Sequence, residues 1–327
     1  MTRATGVGSL PGDDYAEACR WVLGELADFP HLPELPARGV IAGMTGRTLA
    51  MIDELGFDLQ PAGWRLTDAS GIDHRRAKSL LAQDLDVFEE LTQAYEGPLK
   101  IQVAGPWTVA ATTERPRGDR ILADVGARRE VAEALALGLA AHLADVRRRV
   151  PGAELYVQVD EPALPAVMAG GVPTASGFHR HRSVDAPQAA ALLEPMFEVI
   201  ADGGAQSLAH CCAADPPIDL FRNAGAGAIS LDVTHLSAAS YDPLGSMLDA
   251  GLPVYLGVLG TSPIEAISDA RVIDRVHRLL DMLGFAVEEV SDRLTLTPAC
   301  GLANANPAEV RSTMRTLSGA ARGLAGG

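Results

Sequence analysis

The chain has 327 residues, 47% of them hydrophobic and 21% charged, enough apolar material for a large core, which excludes global disorder. Lysine and arginine total 27 against 42 aspartate and glutamate, a formal net charge of −15. That balance argues against non-specific nucleic-acid binding and against adsorption to an anionic membrane, while leaving room for a small anionic substrate held by local basic groups.

From the N-terminus, Met1 to Asp14 contains no apolar run of the kind a secretory signal needs. Residues 5–9 then read as the first strand and 14–27 as a helix carrying Trp21, Val22, Leu23 and Leu26. A second strand is expected between Gly39 and Thr67, where the pattern is ambiguous. A helix over 74–95 places Leu80, Leu81, Leu85, Phe88 and Leu91 on one face. Strand 100–104 follows, then a loop at 113–119 long enough to be a mobile active-site segment. The helix over 128–150 contains the most apolar stretch, Val131 to Leu143, but Glu133 and His142 interrupt it and it is too short to span a bilayer. Strands over 154–160, 206–210, 228–232, 253–258 and 293–298 alternate with helices over 187–201, 216–223, 243–250, 263–283 and 307–324. Several of these helices open on proline, whose missing N–H costs nothing there. Repeated strand–helix alternation implies parallel strands joined by crossovers. The expectation is an α/β protein, a (β/α)8 TIM barrel forming a single domain over 1–327, with an open doubly wound sheet as the structural alternative.

In such a barrel the chemistry sits at the C-terminal ends of the strands. The polar residues that break the strand pattern fall there: Gly8-Ser9, Gly105-Pro106, Asp160-Glu161-Pro162, His210-Cys211-Cys212, Asp232 and Cys300. Four cysteines in a chain this long are not a disulfide framework, and in an expected cytoplasmic protein cysteines near histidine read as metal or catalytic groups. Residues two apart on an extended segment point the same way, so His210 and Cys212 can meet one ion, with Cys300 reaching it from across the barrel mouth. One imidazole and two thiolates suit zinc and leave a further position, for which Asp232 on the neighbouring strand is a candidate. Cys211 points the opposite way, and Cys19 lies on a helix face beside Trp21; both read as packing. Either Asp160 or Glu161 must face the mouth, where a carboxylate could receive an ammonium group or act as a base; the other reading is a helix cap or an ion pair. Gly6-Val7-Gly8-Ser9 lacks the third glycine of a dinucleotide fingerprint. It reads instead as a tight turn offering backbone N–H groups to a carboxylate, or as plain turn chemistry. His179 and His181 form a basic cluster that could contact an anion or be a solvated loop. His235 is either a proton donor or a loop residue.

Taken in order, Gly8-Ser9-Leu10-Pro11, Gly105-Pro106, Val159-Asp160-Glu161-Pro162-Ala163-Leu164, His210-Cys211-Cys212, Ile229-Ser230-Leu231-Asp232 and Pro298-Ala299-Cys300-Gly301-Leu302 give the chain a resemblance. It resembles the C-terminal catalytic barrel of the cobalamin-independent methionine synthase family, within the uroporphyrinogen-decarboxylase and methionine-synthase-like barrels. The resemblance covers nearly the whole chain. It implies zinc-dependent transfer of a methyl group to the thiol of homocysteine. By position it implies His210, Cys212 and Cys300 as zinc ligands, with Asp232 where the family has a glutamate ligand. It also implies Val7, Gly8 and Ser9 as the stretch that holds the amino-acid substrate, and Asp160, with Glu34 as a second candidate, as the carboxylate that receives its ammonium. Thr112 stands where the family stacks a tryptophan on folate, Pro165 and Ala166 where it has a glutamate, and Thr261 where it has a proton-donor histidine. The amino-acid half of the family's site is therefore expected here and the folate half is not, which points to another donor such as a methyl-corrinoid. Two other readings stay open: a related barrel enzyme acting on another thiol or thioether, and a non-catalytic zinc- or thiol-binding protein.

Overall fold

The computed structural model describes residues 1–325. The chain begins with β1 (Arg3–Ala4), α1 (Tyr15–Glu25) and α2 (Met44–Ala50), then β2 (Gly56–Gln60), β3 (Gly63–Thr67) and α3 (Ile72–Thr92). It continues through β4 (Gly97–Ala104), α4 (Pro106–Thr112), α5 (Val125–Arg149), β5 (Ala153–Asp160), α6 (Leu164–Met168) and α7 (Ala186–Asp202). The last part comprises β6 (Gln206–Cys211), α8 (Ile218–Asn223), β7 (Ile229–Asp232), α9 (Ala238–Asp249), β8 (Val254–Leu259), α10 (Asp269–Leu283), α11 (Val287–Val290), β9 (Leu294–Pro298) and α12 (Pro307–Ala325). Seven strands form one curled sheet in the order β1-β9-β8-β7-β6-β5-β4. All its pairings are parallel, with helices in every crossover from β4 onward.

The strand expected between Gly39 and Thr67 is not part of this sheet. Those residues supply β2 and β3, which pair antiparallel with each other through a turn where Gly63 takes φ 124°. The place between β1 and β4 is taken by residues 30–34. Leu32 N donates to Lys100 O at 2.8 Å, Glu34 N to Gly8 O at 3.2 Å and Leu10 N to Glu34 O at 2.8 Å. This stretch thus bridges both edges of the sheet. Pro30, Pro33 and Pro36 deny it a continuous ladder and any strand-like pattern, because proline has no N–H to donate. Two helix starts also differ from the proline rule. Ser237 caps α9, leaving Pro243 inside it, and Ser268 caps α10, which starts at Asp269, six residues after the expected start at Pro263. The loop at 113–119 is tied to its neighbours: Asp119 accepts from Ala175 N at 2.9 Å and lies 3.2 Å from His181 Nε2.

Apolar residues of the strands and helices form the main core between the sheet and its helical layer. A second, smaller group of Phe29, Leu208, Ala228 and Tyr255, with Tyr156 against it, fills the concave face near the strand starts. The Phe29 ring meets Tyr156 edge-on at 4.8 Å, and the Arg3 guanidinium lies 4.8 Å from the Phe29 centroid. Outside the sheet, a buried ion network joins α2 to α3. Arg38 grips Asp84 with two bonds of 2.8 and 2.7 Å, Arg47 Nη1 reaches the same carboxylate at 2.5 Å, and Arg47 Nε lies 3.7 Å from Glu34. Asp84 is only 2% exposed, so removing its charge strands two guanidiniums in a poorly hydrated place. Asp84→Asn is expected to lower stability by about 3–5 kcal/mol in urea denaturation.

His142 on α5 is buried, and burial pushes its ring down from 6.5 to about 4. Between those values the unfolded chain takes up a proton that the native ring refuses. The associated stability, about 3 kcal/mol, is present above pH 6.5 and lost as pH falls towards 4. His142→Leu is expected to lose about that much less over the same window when denaturation is followed against pH.

Candidate metal and amino-acid site

A cavity of about 260 Å³ opens where the parallel strands end. β5 delivers Asp160 to it, β6 and the residue after it deliver His210 and Cys212, and the turn after β9 delivers Cys300 and Gly301. Val7, Gly8 and Ser9, beyond β1, line the facing wall with Glu34. The expected substrate-binding residues and three of the four expected ligands therefore share one cavity.

His210, Cys212 and Cys300 each place a ligand atom within 4.8 Å of the other two. His210 Nδ1 is 2.9 Å from Ser230 Oγ, which fixes the ring and leaves Nε2 free. Nε2 is buried and has no hydrogen-bond partner, an arrangement that a metal ion satisfies. The two sulfurs are 3.1 Å apart. Cys212, with the His210 ring close by, holds the Cys300 thiol well down, while the same contact and burial push Cys212 up. One buried imidazole and two half-buried thiols fit zinc in kind and in number, with a position to spare. Cys211, one residue along, turns into the core and is fully buried, as is Cys19 on α1.

The structure does not bring Asp232 into this group. Its Oδ1 accepts from Thr234 N at 2.8 Å and from Thr234 Oγ1 at 2.7 Å, capping the turn that follows β7. Its Oδ2 lies 3.3 Å from His235 Nδ1. His235 is half exposed, with Nδ1 3.1 Å from the Cys212 carbonyl; it flanks the metal group without lining the cavity. His181 is buried against Asp119 and His179 is exposed; neither reaches the cavity.

Asp160 and Glu161 divide the two roles open to them. Asp160 faces the cavity and accepts from Gln158 Nε2 at 2.7 Å; burial pushes its carboxyl up. Glu161 turns away and caps α4, accepting from Trp107 N at 2.9 Å, Thr108 N at 2.8 Å and Thr108 Oγ1 at 2.7 Å. Burial raises its carboxyl to about 7 against the pull of those donors. Glu34 is likewise raised by burial, opposed by Arg47.

The glycines of Gly6-Val7-Gly8 answer to close packing. A Cβ on Gly6 would lie 2.1 Å from His31 Cε1, and one on Gly8 2.9 Å from Gln102 Cδ. Sequence reasoning missed His31, Gln102, Lys100, Gln158 and Arg47. None of them carried a strand-end marker, but Lys100-Ile101-Gln102 and Gln158-Val159-Asp160 place polar residues two apart on β4 and β5, which is the pattern of a polar inner face.

Residues 78–323 match the family model described as the catalytic domain of cobalamin-independent synthase. The match spans Asp160 and the whole metal group but not Val7, Gly8, Ser9 or Glu34, whose place rests on the cavity geometry. No curated protein matches the chain. A B12-independent methionine synthase from Shewanella sp. W3-18-1, solved in complex with selenomethionine, is 13% identical and superposes with a TM-score of 0.62 over 99% of this chain and 98% of that one. The two share a fold. A 2,3-dimethylmalate lyase reaches a TM-score of only 0.39 at 11% identity, over 91% and 76% of the two chains.

Gly6→Ala is expected to cost about 1–3 kcal/mol in chemical denaturation, because the new methyl would fall where the fully buried His31 ring lies. Gly24→Ala, with nothing within 4 Å of the new Cβ, is expected to gain a few tenths to about 1 kcal/mol as an alanine in helix α1.

Proposed function

Since the chain belongs to the cobalamin-independent synthase catalytic-domain family, we propose that it is a zinc-dependent S-methyltransferase that moves a methyl group to the thiol of homocysteine, forming methionine. The observation that carries this reading is the convergence of His210, Cys212 and Cys300 within 4.8 Å on the wall of a cavity that Asp160 and Glu34 also face. We read the seven-stranded sheet with residues 30–34 as a closed (β/α)8 barrel.

His210, Cys212 and Cys300 would hold the zinc ion, and Asp232 would join them only by releasing Thr234. Bound zinc supplies the charge that keeps an incoming thiol deprotonated and nucleophilic near neutral pH. The chain's own residues do the rest. Asp160 and Glu34 receive the substrate's ammonium, and the backbone of Val7, Gly8 and Ser9 faces its carboxylate. The small cavity excludes water from the sulfur. His235 stands beside the Cys212 carbonyl and would serve as proton donor only to a leaving group that needs a proton, such as a folate nitrogen; a corrinoid, leaving as cobalt(I), needs none. Thr112, Pro165, Ala166 and Thr261 leave the folate-stacking and proton-relay positions of the resemblance unfilled, which favours a methyl-corrinoid over polyglutamylated methyl-folate as donor. No described helix is long and apolar enough to cross a membrane, and the reading places the enzyme in the cytoplasm.

Protein purified without chelators is expected to hold one zinc per chain, and Cys300→Ser and His210→Ala to lose it together with methyl transfer. Zinc–sulfur X-ray absorption is expected to grow when homocysteine is added. Protein free of zinc under those conditions, or zinc-loaded protein that ignores homocysteine, would overturn the reading. Tight and productive use of methyl-folate would overturn the choice of donor.

A further inference from the structure

Lys100 projects from β4 beneath the cavity and is fully buried. Among the described residues its ammonium forms no ion pair. Burial with no counter-ion in contact brings its amine down to about 7, and a buried polar nitrogen of this kind needs acceptors to hold it. Its Nζ donates to Val7 O and to Gln158 Oε1, both at 2.8 Å. Gln158 passes the restraint on, its Nε2 donating to Val7 O at 2.9 Å and to Asp160 Oδ1 at 2.7 Å. The Val7 carbonyl thus accepts two donors and is pinned towards Lys100. In a planar trans peptide the N–H points opposite to the C=O, so the Gly8 N–H is turned away from this network. Among the backbone bonds described, Gly8 N has no acceptor.

We propose that Lys100 is a positioning residue: its Nζ fixes the Val7–Gly8 peptide on one wall of the cavity and, through Gln158, the Asp160 carboxyl group on the other, so that both halves of an amino-acid cradle are pre-set before substrate arrives. The proposal rests on the reading of the cavity as an amino-acid site. Lys100 touches no substrate. It acts by holding a backbone donor for the carboxylate and a side-chain acceptor for the ammonium at a set separation, the kind of support a binding site needs from the residues behind it.

The test is Lys100→Met in the zinc-loaded 327-residue protein, read by steady-state kinetics with homocysteine and methylcobalamin and by amide hydrogen exchange. The expected result is a KM for homocysteine raised roughly tenfold or more, kcat within about threefold and zinc content unchanged, the pattern of lost ground-state positioning. Exchange is expected to rise in the peptides carrying residues 5–10 and 157–162. A folded K100M protein with unchanged KM, or with unchanged exchange in either peptide, overturns the proposal. If the wild-type protein does not use homocysteine while exchange still rises in both peptides of the variant, the functional reading fails and the positioning role stands. Should K100M not fold, Gln158→Glu gives Lys100 a counter-ion but removes both amide donations. Lys100 still holds Val7 in that variant, so KM and exchange in the peptide carrying residues 157–162 are expected to rise, and wild-type values for both overturn the proposal.

Discussion

Polar groups that line a small cavity have to be held from behind by other polar groups, because the floor of the cavity is out of reach of water. The concave face of this sheet is layered accordingly. Near the strand starts it is closed by Phe29, Tyr156, Tyr255 and Leu208. Above them lie the amide of Gln158 and the ammonium of Lys100, which bond each other and the Val7 carbonyl. Above these, at the strand ends, stand Asp160 and His210. The order along β5 (Tyr156, Gln158, Asp160) passes from apolar to amide to carboxylate at every second residue, because alternate residues of a strand share a face.

The same constraint acts from outside the sheet. Glu34 faces the cavity but lies near Arg47, which is itself held by Asp84 and, through it, by Arg38. This chain of charges ties α2 and α3 to residues 30–34, the stretch that bridges β1 and β4 where prolines prevent a regular strand. The metal group depends on curvature in another way. β6 and β9 are separated in the sheet by β7 and β8, so Cys212 and Cys300 approach to 3.1 Å only because the sheet bends round on itself. Ser230, on the strand next to His210, sets the ring and leaves one nitrogen free for an ion.

Adjacent pairs show how little separates a site residue from a structural one. Asp160 lines the cavity, while Glu161 turns back to cap α4. Cys212 joins the metal group while Cys211 is buried in the core. Either member of each pair has the right chemistry; the strand's phase chooses. Asp232 is a different case. It sits at a strand end beside the metal group, yet its carboxylate is engaged by the turn it begins, whose N–H and hydroxyl are closer to hand. A short side chain followed by a turn tends to satisfy that turn first.

The amino-acid sequence by itself determined the alternation of strands and helices, the placing of chemistry at strand ends, and the grouping of His210, Cys212 and Cys300 with Asp160 and Gly8-Ser9. Those features depend on periodicity and on the rule that parallel α/β sheets gather function at one edge, both of which are written locally. Tertiary structure alone decided that residues 30–34, rather than any part of 39–67, lie between β1 and β4. It alone decided that Asp232 caps a turn, and that Lys100 and Gln158 hold Val7 across 93 and 151 residues of chain. The alternation of Lys100 and Gln102 on β4 marks a polar inner face but names no partner for either. Their partners are chosen by which strands the curled sheet brings face to face, and no periodicity in the sequence records that.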